Sequence, residues 1–286
     1  MSEPTVRVAV LLPVYNGAKW LAETLGALYA QTYNDYAIVA VDDCSTDSSY
    51  EILVKAAERD PKRVHVSRNE SSQGVAGNWN CCLRMQRACL PKVDYILKVD
   101  QDDVPDKTLI ETAVKVLDDD IQAVLCHFRL RLLADDGSEG CSLLADALRR
   151  HGWPLDVSHR MPAGEAIWLL IRFDNFIAGS GAVIRRTSLE SLESPFLNCS
   201  FQWAADHELW TRLATLGPLR YVAETGVYWR RHPENATART SLIRRRRENW
   251  LIVWWGLRHL IRRSSVRRIV SVLPSVGLRW LGTRMS

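Results

Sequence analysis

The sequence predicts a doubly wound α/β fold, in which a mostly parallel central sheet is flanked by helices. Short apolar segments and amphipathic segments alternate four times within the first 117 residues. Polar clusters follow three of the apolar segments, at the places where parallel strands would end. Since ligands bind at the carboxyl ends of the strands in such sheets, we expect the binding site there.

The alternation begins at the first apolar run. Val6 to Leu12 is a largely apolar segment that suits a strand buried on both faces. Trp20, Leu21, Leu25 and Leu28 then recur at three- and four-residue intervals, which gives the following helix one apolar face. Further strands are predicted at 37–41, 63–67, 95–99 and 219–222, and further helices at 46–58, 76–89, 107–117 and 206–216. Residues 123–196 are less regular, with both β-like and helical pieces.

The charges are unevenly distributed along the chain. Residues 239–286 contain twelve arginines and one acidic residue, which is a net charge of +11. Because the whole chain carries +4, residues 1–238 carry −7. This asymmetry predicts a main domain over residues 1–238 and a basic, tryptophan-rich, amphipathic helical tail over residues 239–286.

The tail has the composition of helices that lie on a membrane surface. Its two apolar stretches, at 249–257 and 269–278, are shorter than the roughly 20 residues that a membrane-spanning helix needs. Trp250, Trp254 and Trp255 among many arginines favour contact with an anionic membrane surface. The alternative is a helix packed on the main domain. Nucleic acid is not an expected partner, because residues 1–238 show no matching basic face.

Cysteine usage and the first residues indicate the compartment. The seven cysteines form no CxxC pair and have no regular spacing, so neither a disulfide framework nor a zinc site is predicted. The first residues lack the basic start and the long apolar stretch of a secretion signal. We therefore expect a cytoplasmic protein with reduced thiols, peripheral on the cytoplasmic face of the membrane.

Two acidic segments follow predicted strands. Lys98-Val-Asp-Gln-Asp-Asp103 places three carboxylates within four residues, and a divalent cation would relieve their repulsion while gripping a diphosphate. The alternative is a solvated acidic loop that leads into a helix. In Asp42-Asp-Cys-Ser-Thr-Asp47 a carboxylate can accept hydrogen bonds from a base N–H or a ribose hydroxyl. Capping of the next helix by Ser45 or Thr46 is compatible with that role.

Five motifs, taken together and in order, resemble the family-2 glycosyltransferases. They are LPVYNG at 12–17, VDDCSTDSS at 41–49, GVAGNWN at 74–80, KVDQDD at 98–103 and ADHELWTRLA at 205–214. The resemblance extends over residues 6–235. It implies a GT-A catalytic domain, a nucleotide-diphospho-sugar donor, and Mg²⁺ or Mn²⁺ between the protein and the diphosphate.

The resemblance also implies roles for particular residues. Asp206 would be the catalytic base that takes the proton of the acceptor hydroxyl during an in-line attack that inverts the anomeric carbon. Its segment departs from the family's Glu-Asp-x-Asp-Leu-Trp pattern, because Ala205 replaces the first acidic residue. Asp102 and Asp103 would bind the metal. The donor would lie against Pro13, Tyr15, Asn16, Asp42, Asp43, Asn78, Asp100, Arg230 and His232.

The implied activity is transfer of one sugar from a UDP-, GDP- or dTDP-sugar to a hydroxyl of a glycan or lipid-linked acceptor, in the assembly of cell-surface polysaccharide. The Gln-x-x-Arg-Trp segment and membrane spans of processive relatives are absent from this sequence, which favours a single transfer. Two alternatives stay open: a non-catalytic relative that acts as a membrane-associated assembly partner, and a nucleotidyltransferase. The latter normally has a Gly-rich phosphate loop where this chain has Pro13 to Gly17.

Overall fold

The structure, a computed structural model, describes residues 6–134, 139–140, 154–173, 175–194, 196–201, 203–233, 235 and 240–263. The strands are β1 (Val8–Val14), β2 (Tyr36–Asp42), β3 (Val64–Arg68), β4 (Tyr95–Lys98), β5 (Val104–Pro105), β6 (Leu125–Ala134), β7 (Glu139–Gly140), β8 (His159–Met161), β9 (Val183–Arg185) and β10 (Leu219–Arg231). The helices are α1 (Ala18–Tyr29), α2 (Ser49–Arg59), α3 (Gly74–Cys89), α4 (Leu109–Asp119), α5 (Ala163–Phe173), α6 (Arg186–Glu190), α7 (Ala205–Leu213) and α8 (Leu242–Arg263).

The strands form one mixed sheet in the order β3-β2-β1-β4-β9-β6-β10-β5, with β7 paired to β6 and β8 paired to β10. The pairs β1–β2, β2–β3, β1–β4 and β6–β10 are parallel. Strand β9 is antiparallel to both of its neighbours, β4 and β6. The predicted α/β fold with a mostly parallel sheet and flanking helices is confirmed.

Helices cover both faces of the sheet, and β1 shows why the strands are apolar throughout. Ala9 and Leu11 belong to the core between the sheet and helices α3, α5 and α7. Val8, Val10 and Leu12 belong to the core on the other face, with α1, α2 and α4. Successive side chains of a strand point to opposite faces, so a strand covered on both faces needs apolar residues at every position.

Strand β10 is much longer than the predicted strand at 219–222. Its register to β6 shifts between Val222 and Gly226, and the strand then continues to Arg231. Asp106 stabilises the irregularity, because its Oδ2 accepts the N–H of Gly226 at 2.8 Å while its N–H donates to the Gly226 carbonyl at 3.0 Å. The Glu-Thr-Gly segment at 224–226 is therefore a bulge within a strand, and β10 continues beyond it toward the strand ends of the first half.

Helix α8 is the first helix of the predicted tail, and one of its faces packs on the main domain. Ile252, Val253 and Leu260 are buried. At Gly256 the helix approaches α5 so closely that a Cβ would lie 2.5 Å from Cδ1 of Ile171. The tail is thus not a free appendage at this point, although the domain boundary at 238 stays a prediction.

The opposite face of α8 is exposed to solvent. Trp250 and Trp254 are 46% and 55% exposed, and Arg258 lies over the Trp254 ring at 4.5 Å. Along the described part of the chain, no helix is both long enough and apolar enough to cross a membrane. The second tail helix, predicted after residue 264, lies outside the described residues.

Candidate active site

The candidate site begins at the end of β4, in the acidic turn from Asp100 to Asp103. The Lys98 ammonium is buried and lies 2.5 Å from Oδ2 of Asp100. The backbone N–H of Asp100 donates to Oγ of Ser180 at 3.1 Å. One carboxylate of the turn therefore has a cation as its partner, and its backbone is tied to the segment that precedes β9.

Asp102 lies against residues that follow β10. Its Oδ2 is 2.8 Å from Nε2 of His232 and accepts a hydrogen bond from Nδ2 of Asn235 at 3.1 Å. The His232 ring lies on Trp20, with ring centroids 3.8 Å apart. Burial and the charge of Asp100 raise the pKa of the Asp102 carboxyl, because both disfavour its ionised form.

Asp103 is fully buried and joins the acidic turn to β10. Its Oδ1 accepts the backbone N–H of Arg230 at 3.0 Å. The Arg230 guanidinium donates to the carbonyl of Asp102 at 3.1 Å and pairs with Glu23 at 2.5 Å. Burial and the charges of Asp102 and Asp100 hold the pKa of Asp103 well above its usual range. Arg230 and Asp103 thus have partners within the protein, and their predicted roles in donor and metal binding stay predictions.

Asp206 is the second residue of α7. Its Oδ1 accepts the N–H of His207 at 2.7 Å, and its Oδ2 accepts Nδ2 of Asn175 at 3.0 Å. Burial raises the pKa of Asp206 to about 6, although the nearby Lys98 charge acts in the opposite direction. A Cβ at Gly179 would lie 3.1 Å from both the Asp206 Oδ2 and the Lys98 Nζ. The structure therefore brings Asp206, Lys98 and the acidic turn to one place.

The loop after β1 lies beside the acidic turn. Gln101 holds Tyr15 by both backbone groups, since its Oε1 accepts the Tyr15 N–H at 2.7 Å and its Nε2 donates to the Tyr15 carbonyl at 2.8 Å. Tyr15 is 44% exposed. Asn16 has a positive φ of 48°, and its Oδ1 accepts the N–H of Thr46 at 2.8 Å. Pro13 belongs to the end of β1, and the loop that follows it is thus fixed to the ends of both β2 and β4.

Asp43 and Asn78 are buried and bonded within the protein. The Asp43 carboxylate accepts the N–H groups of Gln73 and Gly74 at 2.8 and 3.0 Å, at the start of α3. Asn69 and Ser72 donate to it as well. Nδ2 of Asn78 donates to the carbonyl of Val41 at 2.9 Å, and this hydrogen bond connects α3 to β2. The Asp43 N–H and the Asn78 Nδ2 both donate to the carbonyl of Val14, at 2.7 and 3.3 Å, so both residues lie at the end of β1.

Asp42 is also buried. Its Oδ2 lies 3.1 Å from the Nε of Arg68 and accepts the N–H of Ser45 at 3.0 Å. The predicted capping of α2 by Ser45 or Thr46 is wrong. Helix α2 begins at Ser49, whose N–H is accepted by Oδ1 of Asp47 at 3.0 Å, because the polar loop extends further than the pattern indicated.

The residues at the acidic turn are suited to a divalent cation that takes some of its ligands from the protein and the others from a substrate. Within the described ranges, no three His, Cys, Asp or Glu side chains form a group that would hold a metal ion by themselves. Asp102 and His232 nevertheless offer an oxygen and a nitrogen 2.8 Å apart. Mg²⁺ is commonly bound by one or two carboxylates together with substrate phosphates and water. The donor set suits such a shared site.

Several residues of the site had no signal in the sequence. Asn175 and Asn235 are isolated amides in irregular segments, and only the fold brings them to Asp206 and Asp102. Lys98 lies in a recognised motif, but a lysine among apolar residues of a strand gave no reason to expect a partner at Asp100. Of Asn175, Asn235 and Lys98, only Lys98 could have been predicted, because it is a charged residue within a buried strand.

Comparison with known proteins places this site in context. Residues 9–167 match the profile of Glycosyl transferase family 2. The glycosyltransferase GlyG of Streptococcus pneumoniae is 35% identical over 105 residues, which are 37% of this chain and 33% of that protein. TarS of Staphylococcus aureus, a poly(ribitol-phosphate) beta-N-acetylglucosaminyltransferase, is 30% identical over 123 residues, which are 42% of this chain and 20% of that protein. The alignments thus span a third or less of these two relatives.

Solved structures share the fold over nearly the whole chain. TarS residues 1–349 in complex with UDP-GlcNAc superpose with a TM-score of 0.71 at 15% identity, over 96% of this chain and 72% of that chain. The mannosyltransferase PcManGT of Pyrobaculum calidifontis, in complex with GDP-Man and Mn²⁺, gives a TM-score of 0.60 at 18% identity, over 96% of this chain and 81% of that chain. These similarities confirm the predicted GT-A architecture.

The raised pKa of Asp206 predicts a pH-dependent cost in stability. Its ordinary value is 3.8 and its value in the folded protein is about 6, so the folded state favours the protonated form. The stabilisation by that proton is complete below pH 3.8 and is lost as the pH rises through about 6. Relative to wild type, Asp206→Asn should therefore gain stability from pH 4 to pH 7, by up to about 3 kcal/mol. Urea unfolding across this range measures it, and a pH-independent difference would contradict the assignment.

Proposed function

The chain belongs to glycosyl transferase family 2, and on that premise we propose that it transfers a single sugar from a nucleotide-diphospho-sugar to a hydroxyl of a glycan or lipid-linked acceptor, with inversion at the anomeric carbon. The observation that carries the proposal is the position of Asp206. A carboxylate with a pKa of about 6, fixed by two hydrogen bonds, lies beside the acidic turn at the end of the central strands.

Asp206 has the properties that a general base requires. A base works best when its pKa lies near the working pH, since it is then ionised yet still basic enough to take a proton. Asn175 and the His207 N–H fix both carboxylate oxygens, so the side chain has a defined orientation. Asp206 would take the proton of the acceptor hydroxyl as that oxygen attacks the anomeric carbon and the bond to the nucleoside diphosphate breaks.

The donor would lie over the ends of β1, β2 and β4. Tyr15 and Asn16 project from a loop that Gln101 ties to the acidic turn, and Tyr15 is exposed enough to pack against a base or ribose. Asp100 is the partly exposed carboxylate of the turn, which suits a ribose hydroxyl. We assign supporting roles to Pro13, Asp42, Asp43 and Asn78, because the contacts of the last three lie within the protein.

The diphosphate would lie near Asp102 and His232, which we propose as the residues that hold Mg²⁺ or Mn²⁺. When bound there, the cation would stabilise the charge that develops on the leaving diphosphate. Asn235 and Trp20 keep His232 and Asp102 together before any ligand arrives. Asp103 would support the turn through Arg230, and ligation by it would require a change in that contact. The solved complexes of TarS with UDP-GlcNAc and PcManGT with GDP-Man and Mn²⁺ support a ligand of this class.

The name of TarS describes transfer to poly(ribitol-phosphate), and by this similarity we place the present chain in the synthesis of cell-surface polysaccharide. The exposed face of α8 supports a location on the cytoplasmic face of the membrane. Arg247, Trp250, Leu251, Trp254 and Arg258 lie on it at helical spacing, opposite the buried face. Such a face combines apolar insertion with attraction to anionic lipid.

Substitution of the base separates chemistry from binding. Asp206→Asn keeps the side-chain volume but removes the proton acceptor, so turnover should fall by about a hundredfold or more while donor affinity stays near wild type. Glu208→Gln is the control, since Glu208 lies in the same turn but pairs with Arg212. Hydrolysis or transfer of UDP-, GDP- and dTDP-sugars with Mn²⁺ gives turnover, and calorimetry gives affinity. Wild-type turnover in Asp206→Asn would remove Asp206 from the mechanism, and an inactive wild type would favour a non-catalytic role.

Metal dependence is tested at Asp102. Asp102→Asn replaces the charged carboxylate that we propose as a metal ligand by a neutral amide, so Mn²⁺ should no longer increase affinity for UDP or GDP. The variant Asp119→Asn, at an exposed residue of α4, should behave as wild type. Calorimetry with and without Mn²⁺ measures this without any turnover. Full activity in excess EDTA would exclude the metal.

Membrane contact is tested on the exposed face of α8. The double variant Trp254→Ser/Arg258→Ser should weaken binding to vesicles that contain phosphatidylglycerol, because it removes both an apolar and a cationic group. Salt should weaken wild-type binding without abolishing it, since salt screens only the charges. Ile121→Ser, at a residue that is 80% exposed on the main domain, is the control. Wild-type protein that ignores these vesicles at low salt would overturn the membrane assignment.

A further inference from the structure

The helix that carries Asp206 begins without a cap of its own. Ala204 precedes α7 and has no side chain that can accept a hydrogen bond. Helices usually begin after Ser, Thr, Asp or Asn, because these side chains accept one of the free N–H groups of the first turn. The N-cap residue of α7 therefore offers no side-chain acceptor of its own, and within the first turn the His207 N–H donates to the side chain of Asp206.

Glu248 of α8 supplies an acceptor to the residues just before α7. Its Oε2 accepts the N–H of Trp203 at 2.9 Å and the N–H of Ala204 at 3.0 Å. The Glu248 side chain is only 4% exposed, and a buried carboxylate is costly unless it is hydrogen bonded. Two N–H groups at the start of a helix, where the helix dipole favours negative charge, provide that compensation.

Helix α8 makes a second contact with Trp203, through a side chain. The guanidinium of Arg245, one turn before Glu248, lies 5.6 Å from the centre of the Trp203 ring. Helix α8 also packs on α5 through Ile252 and Gly256. The residues immediately before α7 are thus fixed to α8 by backbone and ring, and α8 itself is fixed to the domain.

Asp206 follows Ala204 by two residues, so a shift of this start would move the carboxylate. Its Oδ1 accepts the His207 N–H of the same turn, which couples the side chain to the local backbone. Its Oδ2 must also meet Asn175, which belongs to a different segment. A displacement of about 1 Å at a reacting group is enough to reduce a rate by about a hundredfold.

We propose that Glu248 is a positioning residue for Asp206, and that α8 is thereby a part of the catalytic unit and not only its contact with a membrane. This inference rests on the proposed function, in which Asp206 is the base. The role proposed for Glu248 is to fix the backbone that carries Asp206, not to take part in the chemistry. Glu248 acts through the N–H groups of Trp203 and Ala204.

The test compares three variants on α8. Glu248→Ala removes the acceptor, Glu248→Gln keeps an acceptor oxygen of the same reach without the charge, and Leu260→Ala removes only buried apolar contact. We expect kcat to fall about tenfold or more in Glu248→Ala and less in Glu248→Gln, with KM for UDP-GlcNAc, or for whichever donor is turned over, near wild type. Leu260→Ala should lower Tm but leave kcat unchanged when assayed well below that Tm.

Wild-type kcat in folded Glu248→Ala, or an equal loss of kcat in Leu260→Ala, would overturn the proposal. If Glu248→Ala does not fold, Glu248→Met, which keeps the side-chain length but also lacks an acceptor oxygen, decides by the same criterion. Amide hydrogen exchange of the peptide covering residues 203–209 gives a result that needs no turnover. Faster exchange confined to the Glu248 variants supports the contact, and unchanged exchange contradicts it, even if the wild type turns over no nucleotide sugar and the proposed function fails.

Discussion

The structure depends on a crowding of carboxylates at the end of β4. Asp100, Asp102 and Asp103 lie within four residues, and burial together with the neighbouring charges raises the pKa of the Asp102 and Asp103 carboxyls. Each is balanced by a different part of the chain. Lys98 pairs with the first, residues that follow β10 hold the second, and the backbone of Arg230 binds the third. The bulge that lets β10 continue to this point is therefore a requirement of the site.

A fourth carboxylate enters from the other side on α7. Asp206 lies near the buried Lys98, so one cation serves both the acidic turn and the proposed base. Burial that raises the pKa of a carboxyl lowers the stability of the folded protein at neutral pH. Such a cost is typical of active sites, where groups are held in the protonation equilibrium that the chemistry requires. Helix α8 connects this site to the rest of the protein. One face of the helix packs on the domain, Glu248 contacts the residues before α7, and the remaining face is exposed.

The sequence predicted the features that depend on local pattern. Apolar runs gave the strands of the first half to within about two residues, since strands buried on both faces are apolar throughout. The polar clusters at the strand ends gave the acidic turn and the β1 loop. Features that depend on distant contacts were not predictable: the length of β10, the amides of Asn175 and Asn235, and the capping of α7 by Glu248. For Asp43 and Asn78 the motifs predicted contact with the donor, but the structure shows hydrogen bonds from both side chains to other parts of the protein.

The central claim is that one carboxylate base, Asp206, directs a single displacement at the anomeric carbon. The configuration of the product tests it most directly. With UDP-GlcNAc, or whichever donor is turned over, the anomeric proton of the new product can be followed by NMR before mutarotation. A single displacement inverts the configuration, so a donor of α configuration such as UDP-GlcNAc gives β in the first product formed. A product that retains the donor configuration would require a second displacement and would contradict the role of Asp206 as the only base.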